Sequence, residues 1–199
     1  MSNIIFDTVK GLQAVSITDQ FLREGKIFLQ GSVDSDMCNE AIRQLLYLEQ
    51  DDNINEITLY IDSPGGDVTA GLSLYDCIRL VSETKPVKTV CLGICASMGA
   101  ILFLASEDRR MMQHGKLMIH APAYGGNHDI SHKKPNEIRV ELDELNMCRD
   151  ILDKLIAERT GIPLDEVIEL TDKDSYFTAE EALNKNLATH IVKSIKEVK

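Results

Sequence analysis

The spacing of apolar and polar positions predicts short strands that alternate with helices along this chain. Short apolar runs predict strands at residues 26–29, 57–61, 87–92 and 116–119, with a last strand near Ile191. Apolar positions at helical spacing predict helices over residues 34–49, 68–81 and 136–159, and a capped turn that starts at Thr178. This alternation favours an α/β fold in which helices pack on a sheet.

The longest predicted helix, over residues 136–159, is charged except for one narrow apolar stripe. The stripe consists of Ile138, Leu142, Leu145, Cys148, Leu152 and Leu155. A stripe of this kind must pack against a neighbouring element, which can belong to the same subunit or to another copy.

Two turns rich in small residues each follow a predicted strand and precede a predicted helix. The first is SPGGD, residues 63–67, and the second surrounds Ser97 in GICASMGAILFL, residues 93–104. Backbone N–H groups at the start of a helix can stabilise a developing negative charge. Because the two strands are successive, we expect the two turns to lie side by side.

Ser97 has two possible roles in the second turn. Serine commonly caps a helix, but a nucleophile at a sharp strand-to-helix turn also needs the small neighbours found here. The strict G-x-S-x-G pattern is absent because Cys95 occupies the position of the first glycine. We expect Cys95 to be a small core residue, and the local sequence leaves both roles for Ser97 open.

A serine nucleophile needs a base, and His120 has the most suitable position among the five histidines. It follows a predicted strand and precedes a loop, where α/β folds place catalytic side chains, although a partly buried structural histidine is the alternative. His114 and His190 are expected at the surface. His128 and His132 lack the glutamate of a zinc-binding helix and are expected in a solvated loop.

The residues alone do not select the acid that would orient this histidine. Asp129, Asp172 and Asp174 are all candidates. The glycines of SPGGD could cradle a phosphate, but no Lys-Ser/Thr pair follows them as in a P-loop.

Composition and charge exclude several classes of protein. The chain has 199 residues, 44% of them hydrophobic, and a net charge of −11, so a nucleic-acid partner is disfavoured. The five cysteines contain no C-x-x-C pair, which favours reduced thiols in a cytoplasmic protein without a structural metal site. We find neither a signal peptide nor an apolar run long enough to cross a membrane.

Four motifs occur together in the order and spacing of the Clp protease proteolytic subunits. They are IDSPGGDVTAG, GICASMGAILFLAS, LMIHAP with a following GG, and TDKDSYFTAEEAL. The chain resembles that family over residues 17–193, and FLREGKIFLQGSVDSDM resembles the family's entry into the domain. The resemblance implies one domain over residues 1–199, with a crotonase-like spiral of ββα units. It also implies an N-terminal axial segment at 1–17 and a protruding handle loop and helix at about 121–159.

The resemblance also implies a role for each matching residue. The nucleophile falls on Ser97, the base on His120 and the orienting acid on Asp174, and the oxyanion would bind the N–H groups of Gly66 and Met98. Gly125 and Gly126 would pair with the backbone of the substrate. Tyr60 and Leu80 fall near the clefts where a partner docks.

The function implied is a self-compartmentalised serine endopeptidase built from stacked heptameric rings, with no cofactor of its own. A hexameric AAA+ unfoldase would use ATP and deliver unfolded polypeptides. The chain departs from the family pattern at Ala121, at Lys173 and in the longer loop after Gly126. These departures leave open a ring-forming subunit with weak or conditional activity, in mixed rings with a paralogue. A crotonase-type coenzyme-A enzyme, which would share the two oxyanion turns, is a second alternative.

Overall fold

The computed structural model describes residues 3–8, 11–125 and 129–198. Its strands are β1 (Asn3–Thr8), β2 (Gly11–Ser16), β3 (Lys26–Val33), β4 (Ile57–Gly66), β5 (Val87–Ala96), β6 (Asp108–Met112), β7 (Lys116–Ile119), β8 (Ser175–Thr178) and β9 (His190–Val192). Its α-helices are α1 (Ile17–Leu22), α2 (Ser35–Glu49), α3 (Val68–Val81), α4 (Met98–Leu104), α5 (Pro135–Thr160), α6 (Leu164–Thr171) and α7 (Ala179–Asn184). The predicted α/β architecture is confirmed.

The main sheet has the strand order β3-β4-β5-β6-β9, and all of these pairs are parallel. Strand β7 pairs in parallel with the carboxyl-terminal half of β5 and in antiparallel with β8. Strands β1 and β2 form a separate antiparallel hairpin. Helices connect parallel strands, so the carboxyl ends of β4, β5 and β7 gather at one edge of the sheet.

Side-chain caps explain where three of the helices begin. Asp34, Asp67 and Thr178 each accept a hydrogen bond from a backbone N–H in the first turn of α2, α3 and α7. Each such bond satisfies a donor that the helix itself leaves unpaired. The predicted starts of these helices are confirmed.

Helix α5 has two different halves. Leu152, Leu155 and Ile156 are buried in the main core, whereas Val140 and Leu142 in the first half are 68% and 51% exposed. The carboxyl-terminal half of the predicted stripe therefore packs on its own subunit. Among the residues that the structure describes, no helix is long and apolar enough to span a bilayer.

The structure corrects the predicted strands in two ways. Strands β3, β4 and β5 continue beyond their apolar runs, to Val33, Gly66 and Ala96. The two turns therefore belong to the ends of β4 and β5. Strands β6 and β8 and the β1–β2 hairpin were not predicted. The sequence of β6, DRRMM, is largely charged, and Arg109 is nevertheless buried, with its guanidinium donating to the carbonyl groups of residues 106, 186 and 187.

Candidate active site

Ser97 occupies a strained turn between β5 and α4. Its backbone has φ +53° and ψ −123°, a region that residues other than glycine rarely adopt. The turn is held by the Ser97 N–H, which donates to the Met118 carbonyl at 2.9 Å. The side chain makes no capping hydrogen bond to the described start of the helix. The Ser97 hydroxyl therefore does not cap α4, and the N-cap role considered above is wrong.

The Ser97 hydroxyl faces the imidazole of His120. Its Oγ lies 2.8 Å from His120 Nε2, which is hydrogen-bonding distance. His120 directly follows β7, the strand that receives the Ser97 N–H. The same strand thus fixes both the turn and the base.

Asp174 lies on the other side of His120. Its Oδ1 is 3.4 Å from His120 Nδ1, and its side chain is 62% exposed. The antiparallel register of β7 and β8 sets Ile119 opposite Ser175, which brings Asp174 beside the histidine. Of the other candidate acids, Asp172 lies 3.5 Å from Arg149, and Asp129 accepts a hydrogen bond from the Ser131 N–H.

The SPGGD turn lies against the Ser97 turn, as expected from the order of the strands. Gly65 has φ +99°, and a Cβ built on it would stand 2.6 Å from Ser97 Cβ and 2.8 Å from the Ala96 carbonyl oxygen. A Cβ on Gly66 would stand 2.1 Å from the Val33 carbonyl oxygen. Only glycines allow the backbone to approach this closely.

Met98 begins α4, so its N–H belongs to the first turn, whose donors have no partner within the helix. Its buried side chain packs against α3, where a Cβ on Gly71 would stand 2.3 Å from Met98 Cγ. The Met98 backbone is therefore held firmly beside Ser97.

A small apolar pocket opens beside the Ser97 hydroxyl and the His120 ring. Its remaining lining residues are Val68, Met98, Ile101, Ile119, Pro122, Leu152 and Ile156. Sequence reasoning did not identify this pocket, because its walls come from α3, α4, β7 and the buried half of α5. An apolar side chain fits its chemistry.

Cys95 is a core residue, as expected. It is fully buried, and burial raises the pKa of its thiol well above the usual range. A thiol in this state is a poor nucleophile, because the thiolate is the reactive form. All five cysteines are free, and the described residues contain no cluster of side chains that could hold a metal ion.

The predicted docking residues differ in exposure. Leu80 is 65% exposed, whereas Tyr60 is only 8% exposed. The Tyr60 hydroxyl donates to the Val198 carbonyl at 2.5 Å, and its ring stacks on Phe28. Val198 is itself buried, so the segment around the short 3₁₀ helix Ile195–Glu197 covers Tyr60.

The remaining predicted residues are the two glycines of the loop that follows His120 and the other four histidines. Gly125 is exposed in a part of that loop without regular secondary structure, while Gly126 and His128 lie outside the described residues. His132, His114 and His190 are exposed, as expected.

Comparison with known proteins gives one consistent result. The family model for Clp protease matches residues 9–195. The chain is 38% identical to the ATP-dependent Clp protease proteolytic subunit 1 of Synechococcus sp. (strain CC9902), over 95% of this chain and 93% of that protein. It is also 38% identical to subunit 1 of Prochlorococcus marinus (strain NATL2A), over 94% and 93% of the two chains. The same identity is found with subunit 2 of Synechococcus sp. (strain CC9605), over 95% and 93%. The chain belongs to the Clp protease family and is a serine endopeptidase of the Clp type.

Proposed function

We propose that Ser97, His120 and Asp174 form the catalytic triad of this peptidase. The observation that carries the proposal is the 2.8 Å contact between Ser97 Oγ and His120 Nε2 at a strained strand-to-helix turn. His120 Nε2 takes the hydroxyl proton as Oγ attacks the scissile carbonyl, and Asp174 holds Nδ1–H of the ring. The protonated ring then gives its proton to the leaving amine, and water releases the acyl group from Ser97 by the reverse sequence.

The N–H groups of Gly66 and Met98 are the proposed donors to the oxyanion. Support comes from the close approach of the SPGGD turn to Ser97 and from the position of Met98 at the start of α4. Donors fixed before the reaction stabilise the developing charge without reorganisation.

The proposed substrate is an unfolded polypeptide. The pocket beside Ser97 accepts an apolar side chain, and the exposed loop at Gly125 offers a backbone edge that an extended chain can join. Gly126, the other proposed contact, lies outside the described residues.

We further propose that the domain over residues 1–199 assembles into stacked rings that enclose a chamber. Exposed apolar residues on the first half of α5 and on the β1–β2 hairpin, among them Leu142 and Leu12, favour contacts with other copies. A hexameric ATP-driven unfoldase would dock near Leu80 and Tyr60. Docking at Tyr60 requires that the segment around Val198 move aside, because it covers the ring in this structure.

Labelling with a fluorophosphonate probe, which modifies activated serines, tests the proposed triad. We expect wild-type protein to be labelled and Ser97→Ala to be unlabelled, while Cys95→Ala keeps the label because the thiol is an inert core group. Asp174→Asn should reduce peptidase turnover by at least about a hundredfold, because the ring loses its orienting carboxylate. Equal labelling of Ser97→Ala and wild type would exclude Ser97 as the nucleophile.

A further inference from the structure

Two buried polar residues lie behind the site, on helices that carry no proposed catalytic side chain. Asp153 of α5 is 3% exposed and Thr171, the last residue of α6, is 1% exposed. A carboxylate in the interior is unfavourable unless it is paired and hydrogen-bonded. The partners of Asp153 therefore need an explanation.

Asp153 connects the two helices. The Thr171 hydroxyl donates to Asp153 Oδ1 at 2.8 Å. Arg149, one turn earlier on α5, places Nε 3.6 Å from Asp153 Oδ2 and Nη2 3.5 Å from Asp172 Oδ1. The carboxylate is thus fixed on α5 and holds the end of α6 through Thr171.

Thr171 also reaches the segment that carries the base. Its carbonyl accepts a hydrogen bond of 2.7 Å from the N–H of Ala121, the residue that follows His120. Thr171 itself stands three residues before Asp174. One buried residue therefore touches the backbone beside the base and begins the short segment that carries the acid.

Asp174 depends on such support because its own side chain is not packed. It is 62% exposed, and its contact with His120 is long, at 3.4 Å. Beyond Asp174, the Ser175 hydroxyl donates to the Leu170 carbonyl, and Ser175 faces Ile119 in the β7–β8 pair. The position of the carboxylate is thus set by the backbone on either side of it.

From these contacts we infer that Asp153 and Thr171 are positioning residues that hold Asp174 and His120 in register. The inference rests on the triad proposed above. The hydrogen bond between Asp153 and Thr171 connects α5 to the backbone that carries the acid and the base. Leu152 of α5 lines the pocket beside Ser97. A small displacement of catalytic groups is costly, because reaction requires near-ideal geometry.

The test compares Thr171→Val in two backgrounds of the full-length assembled protein. Valine keeps the shape of threonine and its backbone carbonyl but removes the hydroxyl. We expect Thr171→Val to lower kcat for a small peptide roughly tenfold while KM stays within about twofold. In an Asp174→Asn background, the same substitution should change kcat by less than about twofold, because the register between Asp174 and His120 no longer matters once the carboxylate is absent.

Two further variants separate positioning from folding. Thr171→Ser retains the hydroxyl and should restore most of the lost turnover. Asp150→Asn removes an exposed carboxylate from the same helix and should leave kcat unchanged. Asp153→Asn keeps an acceptor oxygen and should fall between wild type and Thr171→Val.

The outcomes distinguish the inference from the proposed triad. Equal losses from Thr171→Val in both backgrounds, or no loss in either, would overturn the positioning role. An Asp174→Asn variant with full turnover would instead overturn the triad. The native mass of each variant shows whether it still assembles. If turnover falls only in variants that no longer assemble, the result counts against the inference.

Discussion

At the scale of single residues, the site depends on backbone that only particular residues permit. Ser97 has a positive φ, and the turn that contains it packs directly against Gly65, where a Cβ would stand 2.6 Å from Ser97 Cβ. A strained backbone conformation persists when neighbouring contacts hold it in place. Here the Ser97 N–H donates a hydrogen bond to the Met118 carbonyl.

Gly65→Ala should abolish fluorophosphonate labelling, because the new methyl group would stand 2.6 Å from Ser97 Cβ. Gly161→Ala is the matched control: Gly161 also has a positive φ, +76°, but an added Cβ meets nothing within 4 Å. Both variants carry the backbone penalty of about 1–2 kcal/mol in free energy of unfolding. Labelling that survives in Gly65→Ala, or is lost equally in Gly161→Ala, would show that contact with Ser97 is not decisive.

Residue-scale reasoning from the sequence identified Ser97 and His120 as candidates but could not choose the acid. Three aspartates had similar local surroundings, and Asp174 comes beside His120 through the β7–β8 register. An antiparallel pair between strands more than fifty residues apart leaves no local signal. The family motif supplied that assignment.

At the scale of elements, helices were easier to predict than strands. Caps such as Asp67 and Thr178 are visible in the sequence because they act on the next few residues. Strand β6 was missed because its arginines and aspartate do not alternate with apolar residues. Arg109 is tolerated there because the backbone carbonyl groups of residues 106, 186 and 187 accept hydrogen bonds from its guanidinium.

Glu107, which follows α4 and pairs with arginines of α3 and α5, provides a pH-dependent contribution to stability. Glu107 pairs with Arg159 at 2.8 Å and Arg79 at 3.2 Å, and hydrogen bonding from Arg159 lowers the pKa of this carboxyl. A lowered folded-state pKa stabilises the fold above the unfolded-state pKa, and this stabilisation is lost as pH falls through the folded-state value.

Glu107→Gln should therefore lower the free energy of unfolding at pH 7 by about 0.5 kcal/mol, a small value because the side chain is 74% exposed. The difference from wild type should be smaller at about pH 3, because the stabilisation from a lowered pKa is lost as pH falls through the folded-state value. Urea unfolding at the two pH values measures it, with Glu169→Gln on the exposed face of α6 as control. A deficit that persists in acid would indicate that packing, rather than charge, is responsible.

At the scale of the whole molecule, the Clp-type fold with its handle helix, expected from the motifs, is confirmed by the family match. The handle is buried at one end and exposed along apolar residues at the other. Within one subunit, these apolar residues of α5 remain exposed to solvent. Assembly is the natural explanation for their exposure.

In the stacked rings proposed above, Leu142→Asp should weaken the contact between rings and reduce the native mass by about half, because a charge would enter an apolar interface. Asn146→Asp, which adds the same charge at an exposed polar position of the same helix, should keep the mass of wild type. Native mass spectrometry or analytical ultracentrifugation distinguishes the two. An unchanged mass for Leu142→Asp would place the ring contact elsewhere.

The main sheet divides within β5, and this has a consequence for how the site can move. Residues 88–91 pair with β6, whereas residues 94–96 pair with β7. At the division, Asp62 accepts the Ile94 N–H and leaves no room for a Cβ on Gly93. The branch formed by β7 and β8 carries both His120 and the backbone beside Asp174. Because β7 also pairs with residues 94–96 and accepts the Ser97 N–H, a small rotation of that branch would carry nucleophile, base and acid together, relative to the part of the sheet that pairs with β6.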